Sequence, residues 1–390
     1  LWYRSNKFNS CMKYCKECLT TDLRPNASFK ENGMCIMCEY SNNQSTKSFA
    51  SELKFLKKMI RDTKSKRKKH GLYDCIVGVS GGKDSTRQAH WVRDRLGLNP
   101  LLVCCGYPPL QMTHIGASNM SNLISMGFDI EVFSPAPQSS AQLSLSSFKQ
   151  FGNVCKSTEM ALFSAVPRIA ISKKIPLIFW GENTALQVGD AKTEGVNYFD
   201  GNNLRNLNTL TEGGVDWIFN EVEGYKAEAY IYPNKSSFDK AKIDIMYLGP
   251  AWDDWSSDDN SIYAALTGLT LRPDDVEITG DISGASMLDE EFTNINMMIK
   301  YFKFGFGRAT DICNERIRSG ILTRKDAVAL VEKYDGVCAD SIVLRYCNYV
   351  GISTDYFWDI INKYTNHKIF KIQNGKRPKR KFKVGVDFVS

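Results

Sequence analysis

Between Tyr73 and Arg95 an apolar run, Tyr73-Asp74-Cys75-Ile76-Val77-Gly78-Val79, passes into Ser80-Gly81-Gly82-Lys83-Asp84-Ser85 and then into a stretch compatible with a helix. These residue types suit a phosphate. Gly81 and Gly82 carry no β-carbon, so their N–H groups can approach an anion, while Ser80 and Ser85 offer hydroxyls and Lys83 a positive charge. A helix over Thr86–Arg95 would aim the positive end of its dipole at the same anion. Asp84 stands where a Walker A motif places Ser or Thr after its lysine, which points to a different nucleotide chemistry. The competing reading is a glycine-rich turn with no ligand.

A second set of spacings concerns metal. Of twelve cysteines, Cys15 and Cys18, then Cys35 and Cys38, form two C-x2-C pairs separated by sixteen residues, the spacing of a tetrahedral zinc site. Four thiolates close the coordination sphere, so the expected Zn2+ is structural, and its binding energy could fold a small module with little core. Gly33 supplies the turn before the second pair, and Cys11 breaks the spacing and is a spare. Cys75, Cys104, Cys105, Cys155, Cys313, Cys338 and Cys347 form no further pair and are expected to be buried thiols.

The 390 residues suggest two or three domains. Net charge is +7, with the basic excess concentrated in Lys54–Lys69 and in Lys376–Lys383. The first is expected to be an amphipathic helix with Leu53, Leu56, Met59 and Ile60 beneath it. The second is a disordered tail or a phosphate-attracting arm. No stacking-aromatic pattern accompanies either run, so nucleic-acid binding is not expected. No run of eighteen apolar residues and no leader pattern occur, so no membrane span is expected and the chain reads as cytoplasmic.

The elements that must position these residues follow from periodicity. Ser41–Ser48 reads as a linker. Strands are expected at Asp74–Val79, Pro100–Cys105, Asp129–Phe133 and Ile175–Trp180, with helices around Thr86–Arg95, Asn119–Met126 and Thr158–Ser172. Such alternation gives an α/β fold, a doubly wound parallel sheet whose ligands bind beyond the carboxyl ends of the strands. That gathers the loops Ser80–Ser85, Gly106–His114 and Gly181-Glu182-Asn183. Glu182 could hold Mg2+ and Asn183 could bond ribose or substrate, or Asn183 could simply cap a helix.

From about Asp190 to Asp275 the alternation is expected to stop. Trp217, Tyr225, Tyr230, Tyr232, Tyr247, Trp252 and Trp255, with Asp253, Asp254, Asp258 and Asp259, make that span either a sugar-binding pocket or a subunit interface. Glu290–Tyr364 reads as helical, with Thr323 capping one helix. Lys303 and Arg308 flank Gly305 and Gly307, placing cations for a phosphate or marking a helix break. The domain boundaries expected are 1–48 for a zinc ribbon and linker, 49–285 for the nucleotide domain with its aromatic insertion, and 286–390 for a helical region with a basic tail.

The loop GVSGGKDS resembles the pyrophosphate loop (PP-loop) of the ATP pyrophosphatases. Taken with Cys15 to Cys38 and the intervening Thr20, Pro25, Phe29 and Gly33, then WGEN at 180–183, GFGRATD at 305–311 and Ile317–Gly320, the chain resembles the N-acetyl sugar amidotransferases of bacterial surface-polysaccharide and nonulosonic-acid biosynthesis. The resemblance implies that Ser80, Gly81, Gly82, Lys83, Asp84 and Ser85 grip the pyrophosphate of ATP, with Asp84 or Glu182 positioning Mg2+ and Lys83, Asp84 and Glu182 as the catalytic set. It further implies that an acetamido oxygen of an activated N-acetyl sugar attacks the α-phosphate and that ammonia then displaces AMP.

A glutaminase would need a cysteine nucleophile with a histidine partner. Residues 1 and 2 are Leu and Trp, Gly336-Val337-Cys338-Ala339-Asp340 lacks the second glycine of a nucleophile elbow, and of His70, His90, His114 and His367 only the last follows Cys338. A separate glutaminase and an ammonia-conducting, cyclase-like barrel are therefore the expected partners, as the resemblance implies. The alternatives are a tRNA thiolation enzyme, for which only Cys104, Cys105 and Cys155 are available in the nucleotide domain, and a non-catalytic nucleotide sensor.

Overall fold

The computed structural model describes residues 11–25, 27–44, 49–65, 72–180, 214–252, 254–373 and 375–389. Glu182, Asn183 and Asp253 lie outside the described residues. In chain order the elements are β1 (Cys11–Met12), α1 (Ile36–Gln44), α2 (Phe49–Ser65), β2 (Cys75–Val79), α3 (Lys83–His90), β3 (Pro100–Cys105), α4 (His114–Ser125), β4 (Ile130–Phe133), α5 (Pro137–Phe151), α6 (Lys156–Lys173), β5 (Leu177–Trp180) and β6 (Asp244–Tyr247). There follow α7 (Ser257–Leu266), α8 (Thr293–Phe304), α9 (Arg308–Arg318), α10 (Arg324–Tyr334), α11 (Asp340–Val350), α12 (Thr354–Tyr364), β7 (Phe370–Gln373), β8 (Lys376–Arg380) and β9 (Phe388–Val389).

A five-stranded sheet of order β4-β3-β2-β5-β6, parallel throughout, forms the centre of the α/β region. Side chains alternate across a strand, so Val77, Leu102 and Phe179 enter one core with Leu56 of α2 and Ala89 of α3. Ile76, Val103 and Ile178 enter the other, against Val166 and Ala170 of α6. Burial on both faces explains why these strands read as uninterrupted apolar runs. Gly78 is set by packing, because a β-carbon there would lie 2.8 Å from the Trp180 ring of the neighbouring strand.

The expected strands and helices are present, with shifted ends. The helix expected over Thr86–Arg95 begins at Lys83 and widens into a π-turn over Trp91–Arg95. Two elements lie where alternation was not foreseen. Helix α5 is rich in serine, whose hydroxyls compete with the backbone, but burial satisfies them: Ser144 Oγ donates to the Val154 carbonyl at 2.7 Å and Ser147 Oγ to that of Asn153 at 2.8 Å. Strand β6 extends the sheet out of the 190–275 span.

In the described part of that span, expected as a sugar pocket or a subunit interface, several of the aromatics serve the core. Trp217, Tyr230, Tyr247 and Trp252 are buried core residues, Tyr225 stands exposed, and Asp254 and Asp258 pair with Arg87 and Arg316. The expected linker over Ser41–Ser48 also differs, since its first four residues close helix α1; residues 45–48 are outside the described set.

Helices α8 to α12 enclose a second large core with Phe148 of α5. Thr323 caps α10 as expected, its Oγ1 accepting from Asp326 N. The basic stretch Lys376–Lys383 is no loose tail: β8 pairs antiparallel with β7, and Arg377 Nη2 donates to the Cys338 carbonyl at 2.7 Å. The cysteine module joins this unit, with β1 pairing β9 and Leu19 N donating to Asn314 Oδ1 of α9 at 2.7 Å. Among the described residues no helix is long and apolar enough to cross a membrane.

Candidate active site

Between β2 and α3 the chain turns through Ser80–Gly82. Gly81 has φ +83°, a conformation that favours glycine, and a β-carbon there would press on the Gly116 carbonyl at 3.1 Å and Met120 N at 3.3 Å. Gly82 is the N-cap of α3 and has no side chain to cap it, so the first N–H groups of the helix are not closed by a cap and face the loop. Ser85 Oγ donates to the Gly82 carbonyl at 3.2 Å and holds the turn.

Lys83 is almost fully buried and its Nζ donates to Asp84 Oδ2 at 2.6 Å. Burial opposes the ammonium charge, but Asp84 beside it outweighs that and raises the Lys83 pKa, so Lys83 is a fixed cation. Asp84 Oδ1 accepts from Asn260 Nδ2 at 2.7 Å, and Arg87 donates to Asn260 Oδ1 at 2.9 Å and to Asp254 Oδ2 at 2.6 Å. Thus α7 is tied to α3 by a polar chain, Asp84–Asn260–Arg87–Asp254.

A cavity of about 260 Å³ opens beside the loop. Ser80, Gly82, Lys83, Asp84 and Ser85 line its polar end, and Val79, Val103, Leu162, Val166 and Trp180 its apolar wall. Opposite the loop stands Asp289, which accepts from Tyr107 Oη at 2.8 Å and from Ser80. Burial raises its pKa, partly offset by these donors. The loop Gly106–His114 meets the same segment, because Thr113 N donates to the Asp289 carbonyl at 3.2 Å. Two of the three loops expected together are therefore together; the third, with Glu182 and Asn183, is outside the described residues.

A second cavity, of about 340 Å³, lies next to the first and shares Trp255 and Met287 with it. Its wall is composite: Arg24, Met37 and Ser41 come from the cysteine module, Ser257 from the start of α7, Ser286 from the segment before α8, and Arg308, Asp311, Glu315 and Arg318 from α9. Asp335 fixes the start of α9, its carboxylate accepting from Gly307 N at 2.8 Å and Thr310 N at 3.0 Å. Lys303, paired with Arg308 in the sequence reading, is not at the cavity; its Nζ closes the end of α5 on the Phe151 carbonyl at 2.8 Å.

The four sulfurs of Cys15, Cys18, Cys35 and Cys38 lie within 4.8 Å of one another and are buried. Cys18 Sγ and Cys35 Sγ are 3.7 Å apart, close to the separation of roughly 3.8 Å that Zn–S bonds of about 2.3 Å give in a tetrahedron. Backbone N–H groups point at the sulfurs, Cys35 N to Cys15 Sγ at 3.2 Å and Thr20 N to Cys18 Sγ at 3.4 Å, an arrangement that favours thiolates. The cluster could hold a structural zinc. The other expected buried thiols are buried, and burial pushes Cys104, Cys105, Cys313 and Cys338 up to about 12.

Sequence reasoning missed Asp289, Met287, Glu315 and Asn260, whereas Trp255, which lines both cavities, belongs to the aromatic span it offers as a sugar pocket or a subunit interface. The abrupt acidic run Asp289-Glu290-Glu291 between Leu288 and Phe292 is a usable signal for the first; the others become neighbours only through tertiary packing.

No curated protein matches the chain. Residues 289–383 match a family model described as LPS biosynthesis protein WbpG-like, C-terminal domain. This span begins at Asp289, which lines the first cavity with the Ser80–Ser85 loop, and contains the α9 wall of the second cavity. Over it the chain is similar to the C-terminal domain of WbpG-like lipopolysaccharide-biosynthesis proteins, which fits a role in making a surface polysaccharide.

Proposed function

We propose that the chain is an ATP-dependent, AMP- and pyrophosphate-forming amidotransferase that converts the acetamido group of an activated N-acetyl sugar into an acetamidino group. The observation carrying this reading is the uncapped start of α3 facing a cavity through Gly81, Gly82, Lys83 and Ser85, in the manner of an anion cradle with a fixed cation. The apolar wall with Trp180 suits a planar base.

An amide carbonyl is a weak electrophile and its oxygen a poor leaving group, so ammonia alone does not displace it. In the proposed reaction the amide oxygen attacks the α-phosphorus and pyrophosphate leaves, giving an imidoyl adenylate. Ammonia adds to the imidoyl carbon, the C–O bond breaks, AMP departs with the former amide oxygen, and the amidine keeps a proton. Lys83 and the N–H groups of the loop neutralise the departing pyrophosphate, and the fixed loop orients the α-phosphate for in-line attack. Asp84, a hard oxygen donor with lone pairs beyond those used by Lys83 and Asn260, would hold Mg2+.

Cys338 is a poor candidate for a glutaminase nucleophile, being buried with its thiol pushed up to about 12. Ammonia from a separate glutaminase through a barrel partner is part of the proposal. Buried, high-pKa thiols at Cys104 and Cys105 favour this reading over tRNA thiolation, which needs reactive sulfur carriers. The test is incubation with ATP, Mg2+, ammonium and a panel of activated N-acetyl sugars. A product one mass unit lighter, formed with AMP, supports the reading; ADP in place of AMP rejects it.

A further inference from the structure

The second cavity carries three buried donors with no hydrogen-bond partner among the described residues: Arg308 Nε, Arg318 Nη1 and Trp255 Nε1. A buried unpaired donor is costly, and two on guanidinium groups more so. Arg308 is 4% exposed, and the contacts it does make are to neutral groups, with Nη1 donating to Asn294 Oδ1 at 2.8 Å and Nη2 resting on Met287 Sδ at 3.0 Å. The nearby acids Asp281 and Glu315 act on Arg308 and Arg318 only at a distance, with no hydrogen bond between them among the described residues. Asp311 is held by Arg24 and Lys300, and Glu315 accepts from Ser257 N. Three donors without a matching acceptor ask for a ligand rich in acceptors and negative in charge.

We propose that this cavity is the acceptor subsite and that Arg308 and Arg318 hold a phosphoryl oxyanion of the acceptor, with Trp255 donating at the boundary between the two cavities. The identity of the ligand rests on the amidotransferase reading. An acceptor anchored by its phosphoryl group at α9 would extend past Trp255 and Met287, which line both cavities, and so bring its acetamido end toward the phosphate loop. Arginine suits this role because its planar fork matches phosphate oxygens and its charge does not titrate away. The cavity would thereby discriminate phosphorylated from free N-acetyl sugars.

The test is calorimetric titration of the full chain, zinc-loaded, with the phosphate loop filled by α,β-methylene ATP and Mg2+. The probes are UDP-N-acetylglucosamine, N-acetylglucosamine 1-phosphate, pyrophosphate and neutral N-acetylglucosamine. At least one phosphorylated probe is expected to bind at least tenfold more tightly than the neutral sugar, and which one does so separates a sugar phosphate from a nucleotide diphosphate as the source of the oxyanion. Arg318→Ala, and the milder Arg318→Gln should the first unfold, are expected to weaken that probe at least tenfold, about 1.4 kcal/mol, with analogue binding unchanged. Equal binding by variant and wild type, or no binding of any phosphorylated probe, overturns the proposal. Failure of the analogue to bind wild type instead refutes the phosphate-loop reading, and the arginine dependence of the probes still decides this one.

Discussion

Arg24, between the two cysteine pairs, reaches Asp311 of α9 with Nη1 to Oδ1 at 2.6 Å, and Lys300 takes the other oxygen of the same carboxylate. Burial alone would raise the Asp311 pKa, but the two cations override it and hold it at about 2. The cysteine module is thereby fastened to the helix that lines the second cavity. The Asp311 side chain is about a third exposed, so each pair contributes only about 1 kcal/mol after screening. Asp311→Ala should lower stability by roughly 1–2 kcal/mol in thermal unfolding while zinc content stays at one per chain.

Lys83→Ala and Ser85→Ala test the cradle. Each should weaken ATP binding at least tenfold and abolish turnover, with little change in thermal midpoint, because Asp84 keeps its bond from Asn260. Titration calorimetry beside a melting curve reads both effects, and undiminished ATP affinity in Lys83→Ala would remove that lysine from the site.

The two glycines Gly81 and Gly97 both have positive φ, +83° and +62°, but only Gly81 is crowded, since a β-carbon at Gly97 would meet nothing within 4 Å. Gly97→Ala should cost about 1–2 kcal/mol from backbone strain alone. Gly81→Ala should cost more and should also disturb ATP binding, as its β-carbon pushes on the first turns of α4. Equal losses in denaturant titrations would show that the close approach at Gly81 is unimportant.

Zinc removal should act on two levels. Cys35→Ser is expected to release the metal, measured by atomic absorption, and to lower stability by several kcal/mol out of the roughly 10–16 kcal/mol of a structural thiolate site. Because Arg24, Met37 and Ser41 line the second cavity, binding of phosphorylated sugar probes should weaken too, and ATP binding should be spared.

Glu290 gives a pH signature. Burial is the main cause, with Asp289 beside it, of a pKa raised from 4.5 to about 8. The folded protein then binds more protons than the unfolded chain between those values, so stability is full below about pH 4.5 and declines as pH rises toward 8. Glu290→Gln keeps an oxygen for Gln111 Nε2 and Phe292 N, so it should flatten this decline. Melting curves at pH 5, 6.5 and 8 compare the slopes; parallel slopes in variant and wild type would mean that Glu290 is ionised when folded.

Much of this arrangement was legible in the residues themselves. The strand Pro100–Cys105 and the cluster of Cys15, Cys18, Cys35 and Cys38 follow from local pattern, since period and spacing are properties of short segments. The serine-rich α5 was illegible because its stability comes from partners such as Val154 and Tyr346. Lys376–Arg380 looked loose because charge hides a strand whose partner is a hairpin neighbour. In the 190–275 span the sequence offers a sugar pocket or a subunit interface, and it cannot separate Trp255, which lines the cavities, from Trp217, Tyr230, Tyr247 and Trp252, which are core, because aromatics in either setting carry the same sequence signal. Arg308 and Trp255 of the second cavity are singled out by sequence, as a phosphate cation and a pocket aromatic, but their meeting is not, because the cavity is assembled from the cysteine module, the segments around Trp255 and Met287, and α9.

The central claim is tested most directly by the fate of the amide oxygen. An acceptor from the sugar panel, carrying ¹⁸O in its acetamido group, is incubated with ATP, Mg2+ and ammonium, and the nucleotide products are weighed by mass spectrometry. Attack at the α-phosphate predicts AMP heavier by two mass units together with unlabelled pyrophosphate. Unlabelled AMP, ADP, or no ATP consumption with any acceptor would contradict it.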